Sequence, residues 1–251
     1  MTHLVASRLS KHFGALAAVD ELDFEVAPGE ICGLVGPNGS GKTTLLNLVS
    51  GVLPVTSGTV RLEGKDVTGW RAHKMANAGM SRTFQLIRLV KTSTAIENVL
   101  AGLYPVAADR QVHRALVPFA LRSERAELMT RAAHALERVG LADHVNDVVD
   151  ELPFGFQRRV ELARAIVSEP SVLLLDEPAA GVTEGDIREL ERIINEQAER
   201  GCTVVLVDHH LRFVLDVCPR LIVMNFGRKI FDGSSQAAVE DPSVREAYVG
   251  G

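Results

Sequence analysis

The sequence has little cysteine and no long apolar run. Its three cysteines (Cys32, Cys202 and Cys218) form no CxxC pair, which argues against a metal or redox site. They read as reduced, small apolar core residues of a cytosolic protein. The longest apolar stretches, such as Val172–Leu175 and Thr203–Val207, fall far short of the roughly 18 residues a membrane-spanning helix needs. The opening MTHLVASRLSKHFG has no continuous apolar segment and no cleavage pattern, so no secretory signal is expected. Any work at a membrane would then need a partner to bring the chain there. Internal repeats and low-complexity tracts are also missing. Positive charge is not in excess: 27 Lys+Arg against 32 Asp+Glu give a net charge of −5, with an isoelectric point near 5.9. A nucleic-acid binder would leave a basic footprint, so no nucleic-acid partner is expected.

What remains is an ordinary globular composition. The 251 residues are 46% hydrophobic and 24% charged, which excludes a disordered chain, a fibrous repeat and a disulfide scaffold. At about 150 residues per domain, the length lies between one large domain and two. Residues 1–30 alternate loosely, with Leu22, Phe24 and Val26 on one face, and end at Pro28-Gly29-Glu30; antiparallel strands and a turn are expected. Ile31–Val35 is wholly apolar, as are Val172–Leu175, Thr203–Val207 and Leu221–Met224. Such runs suit parallel strands buried on both faces. With a helical stretch at Ile187–Glu199 between them, the back half predicts αβ units on a parallel sheet.

Residues about 95–168 differ. Thr94-Ala95-Ile96-Glu97 spells a capping box. Leu121, Leu128, Ala132, Ala135, Leu136 and Val139 recur at helical spacing, and Gly140 stands at the C-cap position. An all-helical insertion in an α/β core is expected.

Three constellations carry chemistry. Gly36-Pro37-Asn38-Gly39-Ser40-Gly41-Lys42-Thr43 matches G-x-x-x-x-G-K-[ST] between an apolar strand and a predicted helix over Thr44–Ser50. A phosphate chain needs a nest of backbone amides; Lys42 adds a charge and Thr43 a hydroxyl for Mg²⁺, while the helix start from Thr44 is electropositive. Next, Val172–Leu175 runs into Asp176 and Glu177, placing two carboxylates at the sheet's carboxyl edge, where ligands bind in open α/β folds. Asp176 would hold Mg²⁺ through water and Glu177 would polarise an attacking water. His209 reaches the same edge after Thr203–Val207. Alone, a histidine there is more often a satisfied polar residue than a catalytic one, and the His209-His210 doublet has no further ligand at metal-like spacing.

With these residues in hand, the chain resembles the ATP-binding subunits of ABC transporters over essentially its whole length. Gln85, in Ser81-Arg82-Thr83-Phe84-Gln85, matches the Q-loop glutamine, which the family uses in catalysis and at the metal. Leu152-Pro153-Phe154-Gly155-Phe156-Gln157 matches the signature segment, His209 the switch histidine, and Phe13 the aromatic that stacks on adenine. Taken alone, Phe13 reads as core. Arg82–Leu89 and Asp176-Glu177-Pro178-Ala179-Ala180-Gly181 are similar to the branched-chain amino acid (LivG-type) subfamily. The resemblance implies one ABC ATPase domain over 1–251. About 1–94 and 169–251 would form a RecA-like P-loop NTPase core with an antiparallel β subdomain, and about 95–168 a helical subdomain.

It further implies ATP and Mg²⁺ as cofactors and a head-to-tail dimer with a second ATPase subunit. Two membrane permease subunits and, indirectly, a periplasmic binding protein complete the partners, at the cytoplasmic face of the cell membrane. The groove beside Gln85, lined by Phe84 to Leu89, would receive a coupling helix. Two segments depart from the family pattern. Pro153, Phe154 and Phe156 replace serine, glycine and glutamine of Leu-Ser-Gly-Gly-Gln, and Thr183 replaces the D-loop aspartate. Both bear on the site that this signature would complete in a partner. An exporter ATPase of the lipopolysaccharide-transport type is the nearest alternative. A P-loop switch or kinase is less supported, because no Asn-Lys-x-Asp occurs; a subunit that binds ATP without hydrolysing it sits poorly with Glu177 and His209.

Overall fold

Burial on one face or on two separates the strands of this chain into two sheets. The computed structural model describes residues 3–83, 85, 87–103 and 118–249. β1 (Leu4–Phe13) and β2 (Leu16–Val26) pair antiparallel, β3 (Ile31–Val35) leaves for a second sheet, and β4 (Ser57–Leu62) and β5 (Lys65–Asp66) complete the first in the order β2-β1-β4-β5. In β2, Leu22, Phe24 and Val26 are buried and the acidic residues between them are exposed. This is the one-sided alternation read from the sequence.

The second sheet contains β6 (Met80–Arg82), β7 (Val172–Asp176), β8 (Thr203–Val207), β9 (Arg220–Asn225) and β10 (Arg228–Ser234), in the order β10-β9-β3-β8-β7-β6. β3, β6, β7, β8 and β9 run parallel; β10 returns antiparallel along β9. All five residues of β3, β7 and β8 are buried, because both faces of the sheet are covered. Successive side chains divide between two cores. Leu173, Leu175, Val204 and Leu206 join the helices, while Val172, Leu174, Val205 and Val207 meet the antiparallel sheet. The three cysteines are free and buried. Burial pushes the Cys32 and Cys202 thiols up to about 12, so they pack as small apolar groups.

Among the described residues between β6 and β7 the elements are helical: Ala95–Leu100, Pro118–Arg138 and Phe154–Ile166, with short 3₁₀ turns. Ala132, Ala135, Leu136 and Val139 are fully buried and Leu128 partly so, while the side chain of Leu121 lies outside the described residues. The long helix ends at Arg138, and Gly140 follows with φ 70°. The capping box forms as read: Glu97 N–H donates to Thr94 Oγ1, and Thr94 N–H to Glu97 Oε2 at 2.9 Å. Thr94→Ala is expected to cost about 1 kcal/mol of stability, measured by urea unfolding. An unchanged midpoint would show that the cap contributes nothing.

Some elements were not anticipated. The helix predicted from Thr44 begins at Lys42, because Gly41 turns the chain at φ 104° one residue earlier. β4, β5, β10 and the helices Ser235–Glu240 and Pro242–Val249 also lie beyond the sequence reading. No helix among the described residues is long and apolar enough to cross a membrane.

Candidate functional site

The loop from β3 to the helix Lys42–Val49 is built for close backbone approach. Gly36 (φ 149°) and Gly41 (φ 104°) hold dihedrals that L-residues rarely adopt. A Cβ at Gly36 would strike the Met224 carbonyl, and one at Gly41 the Ala18 carbonyl. The helix that follows has no side-chain cap and no acidic residue in its first turn. Its first amides are therefore left for an outside acceptor. Lys42 is 6% exposed, and its Nζ donates to the carbonyls of Gly36 and Pro37 at 2.8 and 2.9 Å. Burial pushes the Lys42 ammonium below the ordinary lysine value, while Glu177 and then Asp176 pull it back up.

A cleft of about 530 Å³ opens over this loop. Phe13, Asn38, Gly39, Gly41, Lys42, Thr43, Thr44, Gln85, Glu177 and His209 all line it. Pro37 and Ser40 line a neighbouring cleft. Phe13 is half exposed, with Lys11 Nζ 5.2 Å from its ring centre, so it is not a core residue. β7 ends at Asp176, and Glu177 leaves it with φ 52°, held by its N–H to Val207 O at 2.7 Å. Left-handed backbone on a non-glycine residue costs of order 1–3 kcal/mol and clusters at functional sites. Glu177 is gripped from both sides: Gln85 Nε2 donates to Oε2 at 3.0 Å, and His209 Nε2 stands 2.8 Å from Oε1. The three residues read separately from the sequence thus form one chain of contacts.

Asp176 lies behind the cleft, 3% exposed. Arg82 Nη2 donates to its Oδ2 at 2.8 Å, and its own N–H donates to Thr83 Oγ1 at 3.2 Å.

Leu152–Gln157 occupies a different surface and does not line the cleft. Pro153 is the N-cap of the helix Phe154–Ile166, and Gln157 Nε2 donates back to Leu152 O at 2.9 Å. A Cβ at Gly155 would collide with the Asp186 carboxylate. Phe154 is nearly half exposed, whereas Phe156 packs edge-on against His144 and under Arg159.

A family profile described as ABC transporter matches residues 19–180. The chain belongs to the ABC transporter family. The cassette is 37% identical to the high-affinity branched-chain amino acid transport ATP-binding protein BraF of Pseudomonas aeruginosa, over 98% of this chain and 97% of that one. It is 36% identical to the corresponding protein LivG of Escherichia coli K12, over the same shares. The lipopolysaccharide export system ATP-binding protein LptB of Haemophilus influenzae is 31% identical, over 100% and 98%. Among solved structures, an ATP-binding cassette of an ABC transporter in its ADP conformation superposes with a TM-score of 0.86. That cassette is 30% identical, over 100% of both chains. A nucleotide-free cassette gives 0.85 and 29%, again over 100% of both. The fold is therefore the P-loop NTPase fold of the ABC cassettes.

Sequence reasoning missed residues that hold this cassette's loops together. Asp208 accepts from Ala179 N–H and from His210 N–H, each at 2.9 Å. It thereby ties the loop after Glu177 to the loop bearing His209. Its signal was present, since Asp208 ends an apolar strand just as Asp176 does. Arg82 was quoted only as a neighbour of Gln85. Leu16 and the 85%-exposed Phe226 line the cleft beside Phe13. Thr183 also has a structural explanation, because it caps the helix Glu184–Glu199 and donates to Asp186 Oδ2 at 2.6 Å. Of the residues assigned to the coupling groove, Phe84 and Leu86 lie outside the described residues.

Proposed function

We propose that the chain is the ATP-hydrolysing subunit of an importer for branched-chain or related hydrophobic amino acids, peripheral to the cytoplasmic face of the cell membrane. The observation that carries the catalytic part is Glu177, held between Gln85 and His209 at the mouth of the P-loop cleft. ATP would lie with its base on Phe13 and its phosphates over the amides of Gly36–Thr44, and Lys42 Nζ would exchange two loop carbonyls for phosphate oxygens. A water attacks the γ-phosphorus and gives its proton to Glu177, while the bond to the β-phosphate oxygen breaks to leave ADP and phosphate. Gln85 and His209 orient Glu177 and the water.

Magnesium takes oxygen ligands, usually one or two carboxylates together with substrate phosphates and water. Thr43, Gln85 and Asp176 supply such oxygens, so the residues present fit that ion. Thr43 and Gln85 line the cleft, and the carboxylate of Asp176 stands behind it. Bound there, the ion neutralises charge that develops on the phosphates.

The signature segment lies away from the cleft, which supports a head-to-tail pair in which each ATP meets a partner's signature. Residues about 95–168 would be the helical subdomain that swings this segment. A groove of about 390 Å³ runs between the helices Ala72–Asn77 and Phe154–Ile166, lined by Ser81 and Arg82 just before the Phe84–Leu89 segment; it supports docking of one coupling helix, so that a pair of cassettes would meet two membrane subunits. Relatives named for branched-chain amino acid transport are more similar to the chain than those named for lipopolysaccharide export, which favours the importer over the exporter. A periplasmic binding protein would deliver the cargo.

The test mixes the purified chain with a second cassette bearing Leu-Ser-Gly-Gly-Gln and made catalytically inactive. Turnover should rise by about 10²-fold, the scale of one preorganised set of donors. A transporter-like rate from the chain alone would overturn the need for a different second cassette.

A further inference from the structure

Arg82 stands where three elements meet. It ends β6, its carboxylate partner Asp176 ends β7, and Asn47 and Ser50, two further partners, lie on and just after the P-loop helix. Nη2 donates to Asp176 Oδ2 at 2.8 Å, while Nη1 donates to Asn47 Oδ1 at 2.7 Å and to Ser50 Oγ at 3.0 Å. Both charged side chains are buried, at 6% exposure for Arg82 and 4% for Asp176. Ser50 is anchored in turn, its hydroxyl donating to Leu46 O at 2.6 Å. Asp176 is fixed from its backbone as well, through Thr83 Oγ1.

A pair that served only to join β6 to β7 would need one guanidinium nitrogen. This guanidinium directs its other terminal nitrogen to the helix that begins at Lys42. Because the group is planar, the three bonds lock the carboxylate of Asp176 and the P-loop helix into one orientation. Lysine could keep the charge but not the fork.

We propose that Arg82 is a positioning residue for the phosphate and metal end of the site: it sets the carboxylate of Asp176 relative to the P-loop helix. The proposal rests on the reading of Asp176 as the Mg²⁺-facing carboxylate. Residues that orient a metal's ligands typically cost 10–100-fold in metal affinity when changed.

The experiment measures equilibrium binding of a fluorescent ATP analogue to the purified full chain, first in chelator and then across a Mg²⁺ titration. Thermal unfolding is followed in parallel. Arg82→Lys should bind the analogue like the wild type in chelator, yet need about tenfold more Mg²⁺ for half-maximal tightening. Asn47→Ala removes one anchor and leaves the ion pair, so it tests the same point should the lysine variant not fold. It should move the Mg²⁺ midpoint in the same direction by about threefold. In an Asp176→Asn background, Arg82→Lys should add no further loss, since the two act through one carboxylate.

A lowered melting temperature with an unmoved Mg²⁺ midpoint would make Arg82 a merely structural residue and overturn the proposal. So would additive losses in the double variant. Failure of the underlying reading looks different: Asp176→Asn alone would then leave the Mg²⁺ midpoint at the wild-type value.

Discussion

Glu177→Gln is expected to keep ATP affinity near that of the wild type and to lose about 10²–10⁴-fold in turnover. The glutamine amide preserves size, and its oxygen can still accept from Gln85 Nε2, which lies 3.0 Å from Oε2 in the native site. The new amide nitrogen faces His209, whose Nε2 stands 2.8 Å from Oε1 and accepts in the tautomer that leaves it unprotonated. Both contacts survive, and so does the strained backbone at φ 52°, because it is fixed by the main-chain bond to Val207. What disappears is a group able to take a proton from water. In the proposed head-to-tail pair hydrolysis would reopen the dimer, so the variant should accumulate as an ATP-bound dimer with its partner. Asp176→Asn should behave oppositely: nucleotide binding weakens and loses its magnesium dependence. Size-exclusion chromatography with ATP and Mg²⁺, beside a phosphate-release assay, reads both. Retained turnover in Glu177→Gln would refute the role given to Glu177.

The parts of this site that could be read from the sequence are those fixed by local chemistry. The runs Ile31–Val35 and Val172–Leu175 are legible because two-sided burial removes every polar side chain from them. The phosphate loop is legible because its glycines, lysine and threonine are needed at adjacent positions. Thr94 and Glu97 cap a helix across three residues. Arg82 and Asp208 act across the fold instead. Arg82 meets Asp176 at a separation of 94 residues, and Asp208 meets Ala179 at 29, distances over which no periodicity or spacing rule operates. β6 is three residues long, too short to show a period. Thr183 shows the reverse situation. Set against the family pattern it is a missing aspartate, whereas locally it is a good N-cap, and its contact with Asp186 satisfies that local role.

Lys42→Ala is expected to raise the dissociation constant for ATP by roughly 10²-fold. One charge-assisted hydrogen bond is worth about 1.5–3 kcal/mol, and this ammonium faces the most highly charged part of the ligand. In the structure Nζ is buried and bonded to the Gly36 and Pro37 carbonyls at 2.8 and 2.9 Å. The lysine therefore already sits at the loop, and little side-chain entropy remains to be lost on binding. Lys42→Arg should not rescue affinity, because a planar fork cannot replace a compact ammonium that sits against the Gly36 and Pro37 carbonyls. The direction of the Lys42 shift adds a pH signature. Burial lowers its pKa in the free chain, whereas phosphate oxygens raise it in the complex. Affinity should therefore fall as pH rises through the lowered value, before an ordinary lysine would titrate, and ATP binding in that range should take up protons. In Lys42→Ala this alkaline loss should vanish. Equilibrium binding of a fluorescent ATP analogue at neutral and alkaline pH, with thermal unfolding as the check on folding, makes the measurement. Near-wild-type affinity in a folded Lys42→Ala variant would remove this loop from the mechanism.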